Sequence, residues 1–190
     1  MVTITIVVLV TAIIMIQYSS FNSSVLLASQ AYNTAFDLRE TQSLSISVHG
    51  FEGNFYSAYG VYFDTLATDP NAYILFEDDV SNGVQDPIEY QAGEEVGEPY
   101  HLGPQFKFVN LCVSTASGRI CEKDDPETTG ETVDASLHDL TISFVRPNFD
   151  ARLYSSSVSG VTGAELFIGT SDNAIYKKVV IYSTGQISVE

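Results

Sequence analysis

The sequence predicts an α+β fold: a long projecting N-terminal helix, about residues 1–48, packed along its C-terminal half against an antiparallel β-sheet head. Three observations carry this. The chain opens with Met1 to Ile16, MVTITIVVLVTAIIMI, and its first charged side chain is Asp37, so 36 uncharged residues come first. An amphipathic stretch follows without any proline before Pro70. From residue 51 the apolar period changes to two and no second amphipathic helix appears, which disfavours parallel βαβ crossovers.

The opening run is apolar on all sides. Its polar groups are Thr3, Thr5 and Thr11, whose hydroxyls in a helix bond back to a carbonyl one turn earlier. At ~1.5 Å per residue these 16 residues span about 24 Å, short of the roughly 30 Å of a hydrocarbon core. The run reads as the larger part of a membrane helix whose first residues are missing, with Val2, Ile4, Ile6, Val8, Leu9, Ile13, Ile14 and Ile16 as its membrane and assembly surface. A buried core helix is the alternative. Gln17 to Ser24 is Ser/Asn-rich, which lowers helix propensity. Val25, Ala28, Tyr32 and Ala35 then fall at spacings of three and four, with Ala31 and Leu38 beside them, as the face expected under the sheet. Asp37, Arg39, Glu40, Gln42 and Ser43 make the wet side, and Gly50 is the expected stop. One helix over residues 1–48 would be on the order of 70 Å long. The domain division is accordingly 1–24, the transmembrane and assembly half, and 25–190, the head.

The strands come next. Tyr59, Val61 and Phe63 alternate with Ala58, Gly60 and Tyr62. Ala72 to Phe76 is a short apolar run. Phe106, Phe108 and Asn110 alternate with Lys107, Val109 and Leu111, and Leu140, Ile142 and Phe144 with Thr141, Ser143 and Val145. Leu166 and Ile168 follow, then Val179, Ile181, Ile187 and Val189 around a Thr184-Gly185 turn.

Helix, amphipathic continuation and C-terminal sheet together resemble type IV pilin-like proteins. Asn33 to Ser47, NTAFDLRETQSLSIS, is similar to the helix end of the H-type minor pseudopilins of type II secretion systems. Ala174 to Val189, AIYKKVVIYSTGQISV, resembles that group's closing hairpin. The likeness covers the two ends of the chain better than its middle. It implies a non-enzymatic structural subunit of a type IV pilus or a type II secretion pseudopilus. Such a subunit is a single-pass inner-membrane protein with an extracytoplasmic head, found at the cell surface or in the periplasm once assembled. Its partners are other pilin or pseudopilin subunits, met through the N-terminal helix, and the inner membrane before assembly. The family's prepilin processing and N-methylation motif, a basic leader, Gly, and an early Glu, is absent, and Met1 reads as a position inside the mature helix.

Composition narrows function further. Eight Lys and Arg against 24 Asp and Glu leave a net charge of −16, so nucleic acid is not an expected partner. No phosphate-binding loop, dinucleotide fingerprint, zinc-protease helix or nucleophile elbow occurs, and no enzyme activity is expected. His49, His101 and His138 stand at no recognisable spacing for a metal or a catalytic pair. No cofactor is expected except calcium. Glu77 to Glu98 carries eight acids and no base. Within it, Asp78, Asn82, Asp86 and Glu89 occupy the first, fifth, ninth and twelfth places of a calcium loop, with Gly83 at the sixth. Val80 fails the third place, and the same stretch also reads as a solvated acidic turn built on Asn82-Gly83. Cys112 and Cys121 flank VSTASGRI. Pairing of the two flanking segments as a hairpin would set them opposite each other as a disulfide, two unpaired thiols being the alternative. A membrane-tethered extracytoplasmic binding module or adhesin, using the acidic loops for recognition, is the alternative function. An anchored hydrolase is a distant third.

Overall fold

The computed structural model describes residues 2–47, 58–78, 89–124, 131–145, 149–171 and 175–190, and within its helix the side chains of residues 13–21 lie outside the description. Helix α1 covers Val2–Ile46. Among the described residues eleven strands follow: β1 Ala58–Asp64, β2 Ala72–Asp78, β3 Tyr100–His101, β4 Phe106–Thr115, β5 Gly118–Cys121, β6 Thr132–Val133, β7 Asp139–Phe144, β8 Ala151–Tyr154, β9 Val161–Thr170, β10 Tyr176–Tyr182 and β11 Ile187–Val189.

The expected architecture, a long projecting helix on one small antiparallel sheet, is overturned. The strands form two large sheets, one of five in the order β3-β2-β1-β7-β8 and one of six in the order β11-β10-β9-β4-β5-β6. The six-stranded sheet is mixed, because β5 and β6 run parallel. Strand β7 shows why one sheet is too few. All six of its residues are buried, so it is covered on both faces rather than half-wetted. Period-two patterns mark strands, but they do not say which strands share a sheet.

One core joins the layers. Val61, Phe63, Leu140, Ile142 and Phe144 from the five-stranded sheet meet Phe108, Leu111, Leu166, Ile168, Val179 and Ile181 from the six-stranded one. Helix α1 contributes Leu27, Ala31, Ala35 and Leu38 to the same cluster. Gly60 lets β1 and β2 close up: a Cβ there would fall on the Phe76 ring and 2.9 Å from the Ile142 carbonyl.

Two expected faces are corrected. The register of β4 against β9 shifts between Phe108 and Asn110, so Leu111 and Val113 join Phe106 and Phe108 in the core instead of alternating away from them. On α1 the buried stripe is Leu27, Ala31, Thr34, Ala35, Leu38, Thr41 and Ser45. Val25 and Tyr32, expected beneath the sheet, are 52% and 62% exposed. The helix is rotated because three hydroxyl residues are as good at the seam as apolar ones. Thr34, Thr41 and Ser45 donate to the carbonyls of Gln30, Asp37 and Gln42, which satisfies them inside the core.

Candidate functional site

Residues 2–12 of α1 are exposed throughout. Val2, Ile4, Ile6, Val7, Val8, Leu9 and Val10 present large apolar side chains to solvent with no charge among them. Beyond the leading amides of the first turn, the backbone is satisfied within the helix, and Thr11 donates its hydroxyl to the Val7 carbonyl at 2.8 Å, one turn back. What remains unsatisfied is apolar surface, and contiguous apolar surface of this kind marks an interaction site. Ile13, Ile14 and Ile16 belong to the side chains outside the description.

The expected membrane span is corrected. Among the described residues no helix is long and apolar enough to cross a membrane. The apolar run itself falls short of a hydrocarbon core, and Gln17, Ser19, Ser20, Asn22, Ser23 and Ser24 follow in place of further apolar residues. The inner-membrane anchor and the transmembrane half at 1–24 therefore do not stand as structural statements.

Further along α1, Val25, Leu26, Tyr32 and Phe36 are exposed. Tyr32 and Phe36 stand one turn apart, and Val25 lies two turns before Tyr32 on the same side of the helix. The helix thus keeps one packed stripe and one apolar stripe that faces outward.

Polar contacts fix the packed side. Arg39 donates to the Ile187 carbonyl at 3.0 Å, and Gln42 donates to the Phe149 and Gly185 carbonyls at 2.8 and 3.2 Å. Gly185 has φ near +80° in the β10–β11 turn, which brings its carbonyl to the helix. Asp37 lies half-buried beside Glu40, Thr41, Val61, Leu75 and Tyr100, and accepts a hydrogen bond from the Tyr73 hydroxyl. Burial raises the Asp37 carboxyl above its ordinary range. The Tyr73 hydrogen bond opposes this, and the Glu40 charge adds to it. Burial first, then the hydrogen bond to Asp37 and its charge, hold the Tyr73 phenol far above its usual value.

Cys112 and Cys121 are joined by a disulfide across the directly opposed pair of β4 and β5, with Cα atoms 4.0 Å apart. Both are fully buried against Phe167, with Val109 and Tyr176 alongside. On the same sheet Arg119 donates to both Glu165 oxygens, from Nε at 3.2 Å and Nη2 at 2.9 Å, and Lys178 pairs with Glu190 at 3.0 Å. The few bases are thus partly committed within the domain.

The calcium expectation falls largely elsewhere. Asp78 ends β2 and Glu89 follows after residues outside the description, which include Asn82 and Asp86. Among the described residues no group of three or more His, Cys, Asp or Glu is placed to hold a metal ion. His101 pairs with Asp69 at 3.2 Å on the surface, and His138 Nδ1 lies 2.6 Å from the Ser136 carbonyl. His49 lies outside the description. Sequence reasoning missed the outward stripe of Tyr32 and Phe36. Its signal was the hydroxyl series Thr34, Thr41 and Ser45, whose spacings of seven and four keep to one side of the helix and mark the buried side.

Comparison of the chain with protein-family models, with curated proteins and with solved structures finds no match in any of the three.

Proposed function

We propose that this protein is a non-enzymatic structural subunit, of the pilin or pseudopilin kind, that assembles through α1. One observation carries the reading: the seven large apolar side chains between Val2 and Val10 are exposed on a helix with no charge before Asp37. Burying such a surface against like helices gains about 25 cal/mol for each Å² removed from water. The outward stripe of Tyr32 and Phe36 extends that surface onto the head. The buried disulfide supports an oxidising, extracytoplasmic setting for the head, at a cell surface or in a periplasm.

The test is sedimentation velocity of the full chain against a triple variant, Ile4→Ser, Val8→Ser and Leu9→Ser. The expected result is concentration-dependent assembly well above the 20.7 kDa protomer, lost in the variant while the head keeps its melting temperature. A wild-type chain that stays monomeric up to about 100 μM, well above a micromolar dissociation constant, would refute the reading.

A further inference from the structure

The outer face of the five-stranded sheet carries a second, unrelated feature. Register places Tyr62 of β1, Thr141 of β7 and Tyr154 of β8 side by side in one row. Alternation puts all three side chains on the same face, so two phenol rings flank one small hydroxyl residue. The two tyrosines are two strand spacings apart, roughly 10 Å. Tyr90 stacks on Tyr62, with ring centroids 4.6 Å apart. Tyr154 stands on the edge strand β8.

The field at this row is negative. Burial, and then the carboxylates of Asp64, Asp139 and Glu89, push the Tyr62 phenol up to about 12. The Tyr154 phenol is also raised, by burial and then by the charge of Glu89 and a hydrogen bond to it. Asp64 and Asp139 are paired in the next row along the strands. Asp139 is buried and accepts from the Ser156 amide at 2.9 Å and the Ser156 hydroxyl at 2.7 Å. On the other side of the row stands Arg152, one guanidinium against three carboxylates.

Thr141 makes the row more than an acidic patch. It is 1% exposed, and its Oγ1 has no hydrogen-bond partner among the described residues. A buried hydroxyl left without a partner is costly, and threonine hydroxyls normally find one. Here the orphan belongs to the residue flanked in register by two tyrosines, in a negative field. A ligand that suits all three features is cationic, compact, and able to donate an N–H to Oγ1. A quaternary ammonium meets the rings and the charge but has no N–H, and among the described residues these carboxylates are not placed together to ligate a divalent ion.

We propose that the Tyr62–Thr141–Tyr154 row, with Glu89 at its mouth, is a binding slot for a primary ammonium group. The ammonium donates one hydrogen bond to Thr141 Oγ1, lies between the two phenol faces as a cation–π pair, and is neutralised by Glu89. Tyr154 swings outward to admit it. A free alkylamine and a lysine side chain share this chemistry. The inference is independent of the assembly reading, since it uses no residue of α1.

The test is calorimetric titration of the full chain with n-butylammonium, with tetramethylammonium, and with a capped Gly-Lys-Gly peptide, at constant ionic strength. Saturable butylammonium binding is expected, with tetramethylammonium at least about tenfold weaker for lack of the hydrogen bond. Thr141→Val removes the orphan hydroxyl at nearly constant shape. It is expected to raise the melting temperature of the free protein and to weaken butylammonium at least about tenfold. Tyr154→Ala, on the edge strand, is expected to weaken both cations. Peptide binding at least as tight as butylammonium assigns the slot to a protein's lysine, and weaker peptide binding assigns it to a free amine. The proposal is overturned if butylammonium shows no saturable binding, if tetramethylammonium binds equally well, or if Thr141→Val binds butylammonium as wild type does.

Discussion

Breaking the Cys112–Cys121 bond is expected to cost the head about 2.5 kcal/mol of unfolding free energy. The bond closes a loop of sequence separation 9. The loop-closure relation for that length gives about 2.5 kcal/mol at 25 °C through restriction of the unfolded chain. Reduction under denaturing conditions followed by refolding keeps both sulfur atoms, so the difference between oxidised and reduced wild type isolates this contribution. The Cys112→Ala/Cys121→Ala variant also empties two sulfur positions in the cluster with Phe167, Val109 and Tyr176. Each is comparable to a buried methylene, about 0.8 kcal/mol, so the double variant is expected to lose about 4 kcal/mol in all. For a chain of this size the reduced protein should melt about 5–10 °C lower. Guanidinium denaturation followed by circular dichroism, with and without reductant, measures the difference. Reduced and oxidised proteins equal to within about 0.5 kcal/mol would refute the loop-closure argument, and would mean that the β4–β5 hairpin is already ordered in the unfolded chain.

Three further outcomes are expected. Leu38→Ala removes a fully buried side chain where α1 meets both sheets and should cost about 2–5 kcal/mol by denaturant titration. Because burial raises the Asp37 pKa, the folded state prefers the neutral acid. That preference stabilises fully below the unfolded-state pKa and is lost as pH rises through the folded one. Asp37→Asn should therefore be at least as stable as wild type at pH 7, with its advantage disappearing near pH 3; an advantage that grows on acidification would contradict the sign. Gly60→Ala pushes a methyl into the Phe76 ring and the Ile142 carbonyl, and a melting curve should show a loss of about 1–3 kcal/mol.

The strand cores were legible in the sequence because apolar alternation at Val61 and Phe63, at Leu140 to Phe144 and at Val179 and Ile181 is strong and local. The disulfide was legible for the same reason: VSTASGRI is short enough that hairpin register alone sets Cys112 against Cys121. What escaped reading depends on tertiary pairing. The bulge at Val109 moves Leu111 to the core side, and nothing local to FKFVNLCV announces it. Strand β8 is only Ala-Arg-Leu-Tyr, and its place at the sheet edge beside β7 is what sets Tyr154 next to Thr141. The phase of α1 was misjudged because Thr34 and Thr41 look wet in a sequence, whereas in a helix each hydroxyl bonds the preceding turn. The single-sheet expectation failed because alternation along a strand carries no information about its non-sequential neighbours.

The segregation of charge along the chain gives the molecule the logic of a surfactant. An uncharged first stretch, apolar over its opening turns, is joined to a polyanionic remainder, since every one of the 24 acids and eight bases lies at or beyond Asp37. In the assembly proposed above, contacts between the apolar stretches favour association, and repulsion between the acidic heads sets how closely neighbours can crowd. Repulsion between the heads is screened over about 10 Å at 0.1 M salt, while apolar contact is not. The critical concentration for association should then fall as salt rises, and the curvature and spacing of any assembly should answer to ionic strength rather than to sequence-specific fit between heads.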